Sequence, residues 1–275
     1  MASISLSPEV ASMAAFKAAV PFGNGPQDTA ERLCAVGRFR SLERGDELPA
    51  DRYEDRLVFI ATGTAKLVAQ STTASASTRK PIKPNGSSAR SIDRDISTNT
   101  HVLAFHFPGD IVSVLRQADG DFRLVALSNL DLVTFQAAQF LDVAQDNPVV
   151  LRSVLSRSLQ ALHRSRTKMM QLGHKSARQR IADFLVGMAK RLCGCTCGEC
   201  EFSLPMTRRD IGDSLGLKIE TVSRQFSELR EAGLVETQGR SLVRLTDISA
   251  LAGEAGNAPA QSPPRTRSPK IPPQT

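Results

Sequence analysis

The stretch from Pro205 to Leu245 constrains the fold most, because its apolar and turn residues are spaced as in two short helices and a hairpin. Thr207, followed three residues later by Asp210, forms a capping-box variant that predicts the start of the first helix. Gly216 predicts a tight turn into a second helix, which runs from about Lys218 to Ala232. Together these signals predict a helix-turn-helix.

The second helix has one apolar and one polar face. Val222, Phe226 and Leu229 recur at helical spacing and should face the core of a small domain. Arginine can donate two hydrogen bonds to guanine, and glutamate can accept one from cytosine, so the opposite face suits a major groove. That face carries Glu220, Thr221, Ser223 and Arg224. A solvated helix pair inside another helical domain is the alternative.

A short hairpin follows this helix. Gly233 predicts the C-terminal end of the helix, and residues 235–245 alternate around Gln238, Gly239 and Arg240. The tip of such a hairpin can lie along a phosphate backbone, so the pattern predicts a winged helix-turn-helix.

Two segments closely resemble the DNA-binding signature of the Crp/Fnr superfamily of bacterial transcription regulators, namely Leu204–Gly212 and Leu217–Arg224. The Glu-x-x-Ser-Arg form is similar to the FixK and Fnr branch. The resemblance implies that Glu220, Ser223 and Arg224 read bases in half-sites related to TTGAT. It further implies that the DNA backbone is contacted by Thr207, Arg208, Lys218, Thr221, Gln238 and Gly239.

This resemblance spans roughly residues 34–247 and carries further expectations. It implies a homodimer that binds double-stranded DNA and activates transcription with RNA polymerase, in control of low-oxygen respiration or nitrogen fixation. The chain shows no paired carboxylates, nucleophile and base, or phosphate loop, so we do not expect an enzyme.

The net charge of +7 suits a polyanionic partner. The segment 150–200 holds ten basic and two acidic side chains, a local excess of +8. A solvated charged face would have the same composition, so the charge supports nucleic-acid binding without proving it.

Short alternating runs separated by glycine turns predict an all-β sandwich or barrel upstream. The clearest runs are Leu57–Ile60, Ala65–Val68, His101–Phe107 and Leu132–Phe135. The resemblance implies that this domain is a jelly roll like those that bind cyclic nucleotides. The expected class is α+β, with a jelly roll (double-stranded β-helix), a long dimerisation helix and a C-terminal winged helix-turn-helix. The expected segments are a mobile arm (1–30), the jelly roll (31–146) with an inserted loop (70–100), the dimerisation helix (147–173), the winged domain (174–250) and a disordered tail (251–275).

Pro148 opens a long helix whose apolar and small residues form a narrow seam at four- and three-residue spacing. The seam comprises Leu151, Leu155, Ser158, Leu162, Ser165, Met169 and Leu172. One chain offers no matching second seam, so we expect a parallel homodimer; packing of the seam on its own β-domain is the alternative. A further amphipathic helix is expected over Ala177–Leu192.

The β-domain lacks the residues that bind cyclic nucleotides in the family. Gly109-Asp110 is followed by Ser113 and Val114 where a ribose ligand is expected, and Arg123 has no neighbouring hydroxyl residue. We therefore expect no cAMP binding and no required cofactor. Cys34 is the only cysteine in this half, so the iron-sulfur cluster of oxygen-sensing Fnr proteins cannot be built there.

Four cysteines, Cys193, Cys195, Cys197 and Cys200, lie in the expected loop before the helix-turn-helix. Thiols at this density can bind zinc or an iron-sulfur cluster, or form disulfides. A thiol-based redox or metal-responsive regulator is therefore the alternative function, and a merely thiol-rich loop is equally compatible with the pattern.

The sequence contains no apolar run long enough to cross a membrane and no basic start before an apolar block, so we expect neither a membrane partner nor a signal peptide. The clustered cysteines do not resemble an extracellular disulfide framework. The bacterial cytoplasm is the expected compartment.

Overall fold

A computed structural model of the chain describes residues 7–19, 28–49, 55–71, 99–114 and 121–256. The chain divides into two compact units. Unit 1 comprises Met1–Met170 and Pro205–Lys218, and unit 2 comprises Gln171–Leu204 and Ile219–Thr275.

Unit 1 is built on two four-stranded antiparallel sheets, in agreement with the predicted all-β domain. One sheet has the order β1-β8-β3-β6, with β1 Arg38–Leu42, β3 Arg56–Thr62, β6 Ile111–Val114 and β8 Leu130–Gln136. The other has the order β2-β7-β4-β5, with β2 Glu47–Pro49, β4 Ala65–Ser71, β5 Asn99–His106 and β7 Asp121–Ala126. Buried aliphatic residues from both sheets, including Val58, Leu124 and Leu132, form one core.

A second core lies where three helices cover the first sheet. These helices are α1 Pro8–Ala19, α2 Thr29–Val36 and α3 Ala137–Ala144. Phe16 of α1 is fully buried, with its ring centroid 5.3 Å from that of Phe59 and 5.0 Å from that of Phe135. The expectation of a mobile arm is therefore wrong for residues 8–19, because burial of this aromatic ring anchors α1 to the sheet.

The long helix α4 spans Pro148–His174, close to the predicted limits. Its 27 residues give a rod of about 40 Å. Asn147 begins the helix, because its Oδ1 accepts hydrogen bonds from the backbone N–H groups of Val149 and Val150. Val150 is fully buried in the second core of unit 1.

The helix-turn-helix appears where the sequence predicts it. α6 spans Arg208–Leu215 and α7 spans Ile219–Glu231, with Gly216 between them at φ 63°. The contacts of α6 with β5 place it in unit 1, whereas α7 belongs to unit 2.

Unit 2 also contains α5 Ala177–Cys193 and the three-stranded antiparallel sheet β10-β11-β9. Its strands are β9 Cys200–Ser203, β10 Val235–Gln238 and β11 Leu242–Leu245. The predicted hairpin is β10 and β11, and β9 is a third strand that replaces the end of the expected cysteine loop. Ile181, Leu185 and Met188 of α5 are buried, as its amphipathic pattern predicts, whereas Phe184 is only half-buried.

The structure also corrects the start of the predicted C-terminal tail. Residues 248–254 form α8, Ile248–Glu254, which begins at Asp247 through hydrogen bonds from the backbone N–H groups of Ser249 and Ala250 to its carboxylate. Leu251 is fully buried, so apolar packing extends the ordered domain beyond residue 250. Most of the predicted inserted loop, residues 72–98, and residues 257–275 of the tail lie outside the described residues.

Candidate nucleic-acid interface

Helix α7 presents the predicted base-reading residues on its exposed face. Glu220, Ser223 and Arg224 are exposed, whereas Val222 and Leu229 on the opposite face are fully buried. This division follows from the 3.6-residue period, since burial of the apolar side fixes the direction of the polar side. The helix can therefore offer one glutamate, one hydroxyl and one guanidinium to a ligand at the same time.

The Arg224 guanidinium is held only loosely. Its side chain is 69% exposed, and its Nε lies 3.9 Å from Oε1 of Glu228, one turn further along α7. An exposed ion pair at this separation contributes about 0–1 kcal/mol. Arg224 can therefore exchange this contact for two hydrogen bonds to a base edge at little cost.

The hairpin tip is exposed in the same unit as α7. Gln238 and Gly239 are both exposed, and Gly239 has a φ of 62°, which favours glycine at the turn. The buried residues Val235, Val243 and Leu245 anchor the two strands below the tip. The tip can thus offer a side-chain amide and a free-standing backbone turn to a phosphate.

Thr207 has a local role at the start of α6. Its Oγ1 accepts a hydrogen bond from the backbone N–H of Asp210 at 3.2 Å, and its own N–H donates to Oδ2 of Asp210 at 2.9 Å. Its hydroxyl also donates to that carboxylate oxygen, at 2.7 Å. Because both donors of Thr207 are used, its role here is to cap the helix, and contact with a phosphate would require these bonds to break.

Asp210 is buried and has a second partner. Nζ of Lys66 on β4 lies 2.6 Å from its Oδ1. Burial alone would raise the pKa of Asp210, but the hydrogen bonds from Lys66 and Thr207 and the charge of Lys66 lower it overall. The carboxylate therefore stays ionised while it caps α6 and binds Lys66.

The other residues predicted to contact the DNA backbone differ in their exposure to solvent. Lys218 is exposed, Thr221 is half-buried, and Arg208 is half-buried. Desolvation lowers the pKa of Arg208 to about 10, which still leaves it charged at neutral pH. Lys218 therefore offers a more accessible positive charge than Arg208 does.

At least half of the ten basic residues in the segment 150–200 are bound within the protein. Arg157 donates to the backbone oxygens of Gly109 and Ala19, and Lys168 donates to those of Val102 and Leu103. Burial lowers the pKa of Lys168 to about 8. Three more are held in unit 2: Lys175 by Asp183, Arg178 by Glu254, and Arg180 by the backbone oxygens of Lys175 and Leu172. The local charge excess therefore serves intramolecular contacts as well as any ligand.

The predicted seam of α4 is largely exposed. Leu155, Leu162 and Met169 are 59%, 47% and 69% exposed, and Ser158 and Ser165 are also exposed. Leu172 is 37% exposed, whereas Leu151 is half-buried and packs against the second core of unit 1. The predicted seam omits three further exposed apolar residues of α4, Val149, Leu159 and Met170, because strict four- and three-residue steps skip them.

The four clustered cysteines lie between the end of α5 and the start of β9. The Cys200 thiol is buried, whereas the Cys193 thiol donates to the backbone oxygen of Glu201 at 3.5 Å and the Cys195 thiol donates to that of Cys193 at 3.7 Å. Burial, followed by the neighbouring Cys195 and Cys193, raises the pKa of Cys200 to about 12. Within the described residues, no three or more His, Cys, Asp or Glu side chains are arranged to hold a metal ion.

Arg123 and Asp110, which lie in the part of unit 1 where related proteins bind cyclic nucleotides, make local contacts. Arg123 Nη1 lies 3.0 Å from Oε2 of Glu47 on the neighbouring strand, and Oδ2 of Asp110 accepts from the backbone N–H of Phe107. These contacts stabilise the sheet and a turn, and the absence of cAMP binding stays a prediction.

Comparison with known proteins agrees with this architecture. The profile of Crp-like helix-turn-helix domains matches residues 179–253. The chain is 34% identical over 154 residues to the transcriptional activator protein FnrL of Cereibacter sphaeroides. It is 33% identical over 153 residues to the nitrogen fixation regulation protein FixK of Bradyrhizobium diazoefficiens.

Residues 179–253 match the Crp-like helix-turn-helix domain, and the chain is similar to the regulators FnrL and FixK over about half of its length.

The sequence matches cover 54% of this chain and 62% of FnrL, and 55% of this chain and 65% of FixK, just under two thirds of each relative. The fold is similar to the structure of FixK2 from Bradyrhizobium japonicum, with a TM-score of 0.62 at 24% identity over 82% of this chain and 99% of that chain. It is also similar to a CooA variant from Carboxydothermus hydrogenoformans, with a TM-score of 0.60 at 17% identity over 80% and 88% of the two chains.

The likeness to these structures confirms the predicted fold class. The matched relatives carry the names of transcription regulators rather than enzymes. Among the described helices, none combines the length and the apolar character that a membrane crossing requires.

Proposed function

We propose that this protein is a sequence-specific DNA-binding transcription regulator of the FixK/Fnr type. It binds as a homodimer to palindromic sites with TTGAT-like half-sites, and it activates transcription with RNA polymerase. The observation that carries the proposal is the exposed trio Glu220, Ser223 and Arg224 on the polar face of α7.

The chemistry of this trio matches the edges of base pairs in the major groove. Arg224 can donate two hydrogen bonds to one guanine, Glu220 can accept from a cytosine amino group, and Ser223 can donate or accept. Lys218 and the hairpin tip at Gln238 and Gly239 would contact phosphates, which fix the position of the helix without selecting a sequence. The exposure of all six residues supports these roles.

Exposed apolar residues on α4 support the homodimer. Leu155, Leu159, Leu162, Met169 and Met170 are each between 47% and 69% exposed. A row of uncovered aliphatic side chains along a helix marks an interaction surface, and a second copy of the same helix would cover it symmetrically. Two copies would present two α7 helices, as a palindromic site requires.

The relatives' names suggest the biological setting. FixK proteins are named for regulation of nitrogen fixation, and FnrL and FnrA are named as transcriptional activators. We place this protein in the same class of control, over nitrogen fixation or low-oxygen respiration genes.

Fluorescence anisotropy with labelled duplexes tests the proposal. One duplex carries two TTGAT-like half-sites in palindromic order, a second carries one half-site, and a third carries a scrambled sequence. Arg224→Ala should weaken binding to the palindrome by about 1–3 kcal/mol, roughly 5- to 150-fold, and bind the scrambled duplex like the unchanged protein.

Arg230→Ala is the matched control, because Arg230 is an exposed arginine in the last turn of the same helix. It should leave the preference for the palindrome unchanged. Lys218→Ala should weaken binding to all duplexes alike and reduce the salt dependence by about one phosphate contact. Analytical ultracentrifugation should show two chains on the palindrome. Equal losses for Arg224→Ala on the palindrome and the scrambled duplex, or one chain per palindrome, would contradict the proposal.

A further inference from the structure

Helix α4 carries a row of exposed side chains at alternating three- and four-residue spacing, which is the spacing that brings one line of residues against a partner helix. Its three leucines, Leu155, Leu159 and Leu162, are between 47% and 59% exposed. An exposed arginine stands on each side of the leucines in the same row. We call this set the exposed row; it consists of Arg152, Leu155, Leu159, Leu162, Arg166 and Met169.

The two arginines of the exposed row lie where a homodimer brings like residues together. Arg152 and Arg166 are each seven residues from Leu159, so the three residues share one rotational position on the helix. In a parallel pair of helices, residues at this position lie opposite their equivalents in the other copy. Each arginine would therefore face the same arginine of the second copy. The two arginine pairs would be about 21 Å apart along the helix.

Helix α4 contains no group that could neutralise these charges. None of its 27 residues is Asp or Glu, so packing α4 on a second α4 pairs no arginine with a carboxylate, whether the helices are parallel or antiparallel. Among the described residues of the same chain, neither Arg152 nor Arg166 has a hydrogen bond or an ion pair. Arg157 differs, because it donates to backbone oxygens of unit 1. Like charges brought together in this way oppose association of the helices.

A multivalent oxyanion has the chemistry to bind between two such guanidinium groups. Guanidinium is planar, stays charged at physiological pH and donates paired hydrogen bonds that match the oxygens of a phosphate group. One phosphate between the two copies of Arg166 would accept from both and replace repulsion by attraction. The flanking Leu162 and Met169 would exclude water and so strengthen these bonds. At the other arginine, a surface groove is lined in part by Arg152 and Leu155.

We propose that the homodimer binds two multivalent oxyanions of the phosphate type, one between the paired Arg152 side chains and one between the paired Arg166 side chains, and that this binding tightens the association of the two chains. Both arginines lie within unit 1. The inference rests on the homodimer of the proposed function, but it does not depend on the DNA sequence that the protein reads.

Sedimentation equilibrium of the full-length protein without DNA tests this site. The dissociation constant of the dimer is measured as inorganic phosphate replaces chloride at constant pH and ionic strength, which keeps general charge screening the same. Each site should lower this constant about tenfold once phosphate reaches about ten times its own dissociation constant for the site. A dimer that does not respond to phosphate would overturn the inference and leave the homodimer intact. A protein that stays monomeric in every buffer would contradict both.

Three variants separate the arginines of the exposed row from a general effect of the salt. Arg166→Leu should dimerise more tightly than the unchanged protein in chloride, because an apolar residue replaces like charges, and should keep the phosphate response of one site only. The double variant Arg152→Leu with Arg166→Leu should lose the response.

Arg164→Leu is the matched control, because Arg164 is an exposed arginine of α4 outside the exposed row. It should respond to phosphate as the unchanged protein does. Phosphate also strengthens apolar association in general, and that effect needs no arginine. A response that persists in the double variant, or one that disappears in Arg164→Leu, would therefore refute the assignment to Arg152 and Arg166.

Discussion

Removal of the Phe16 ring should lower the free energy of unfolding by about 3–5 kcal/mol, the range for replacement of a buried phenylalanine by alanine. The ring is 0% exposed and lies 5.3 Å and 5.0 Å, between centroids, from Phe59 and Phe135. Of this loss, about 0.5–1.5 kcal/mol for each aromatic pair would come from ring geometry beyond burial.

Urea unfolding followed by far-UV circular dichroism measures the effect of Phe16→Ala. The chain has no tryptophan and one tyrosine, so backbone circular dichroism reports unfolding better than intrinsic fluorescence. The midpoint should fall without a change in slope, because the surface exposed on unfolding hardly changes.

Val10→Ala in the same helix is the matched control. Val10 is 50% exposed, so its truncation should change the stability by no more than about 0.5 kcal/mol. Equal midpoints for Phe16→Ala and Val10→Ala would refute the packing of α1 on the sheet and restore the interpretation of a mobile arm.

Two further predictions concern unit 1. Gly63→Ala should cost at least about 1–3 kcal/mol, because Gly63 has a φ of 78° and an added Cβ would lie 2.1 Å from the Asn129 oxygen. Gly109→Ala, at a φ of 87° with no atom within 4 Å of the added Cβ, should cost less. Thermal melts followed by circular dichroism measure both variants. Asp210 has a lowered folded pKa, so its ionisation stabilises the fold above the unfolded pKa of about 4, and this contribution is lost as the pH falls through the folded value. Urea midpoints at about pH 3 and about pH 6 should therefore differ less for Asp210→Asn than for the unchanged protein; equal differences would exclude this role.

The helix-turn-helix could be predicted from sequence because its signals are local. Thr207 and Asp210 are three residues apart, and both form the capping box that their spacing predicts. Gly216 and Gly233 take positive φ values at the two helix ends where glycine is expected. Each of these features depends on neighbours within one turn, so a single sequence suffices to find them.

Features that depend on distant partners were missed. The low-polarity segment of α1 gives little sign of its packing, because Phe16 is buried by residues more than forty positions away in sequence. β9 is only four residues long, although Cys200 and Phe202 are buried in strand alternation, a signal that the cysteine pattern obscured. The Lys66–Asp210 ion pair joins residues 144 positions apart, and no local pattern predicts it.

The internal bonds of Arg157, Lys168, Lys175, Arg178 and Arg180 change what the formal charge of +7 means for a polyanion. These side chains are bound to other groups of the protein, so they could contact a DNA duplex only if those intramolecular bonds broke. Counterion release on DNA binding would then depend on the few exposed basic side chains near α7 and the β10–β11 hairpin. The slope of log affinity against log salt concentration would therefore report the number of those residues, and not the total number of basic residues.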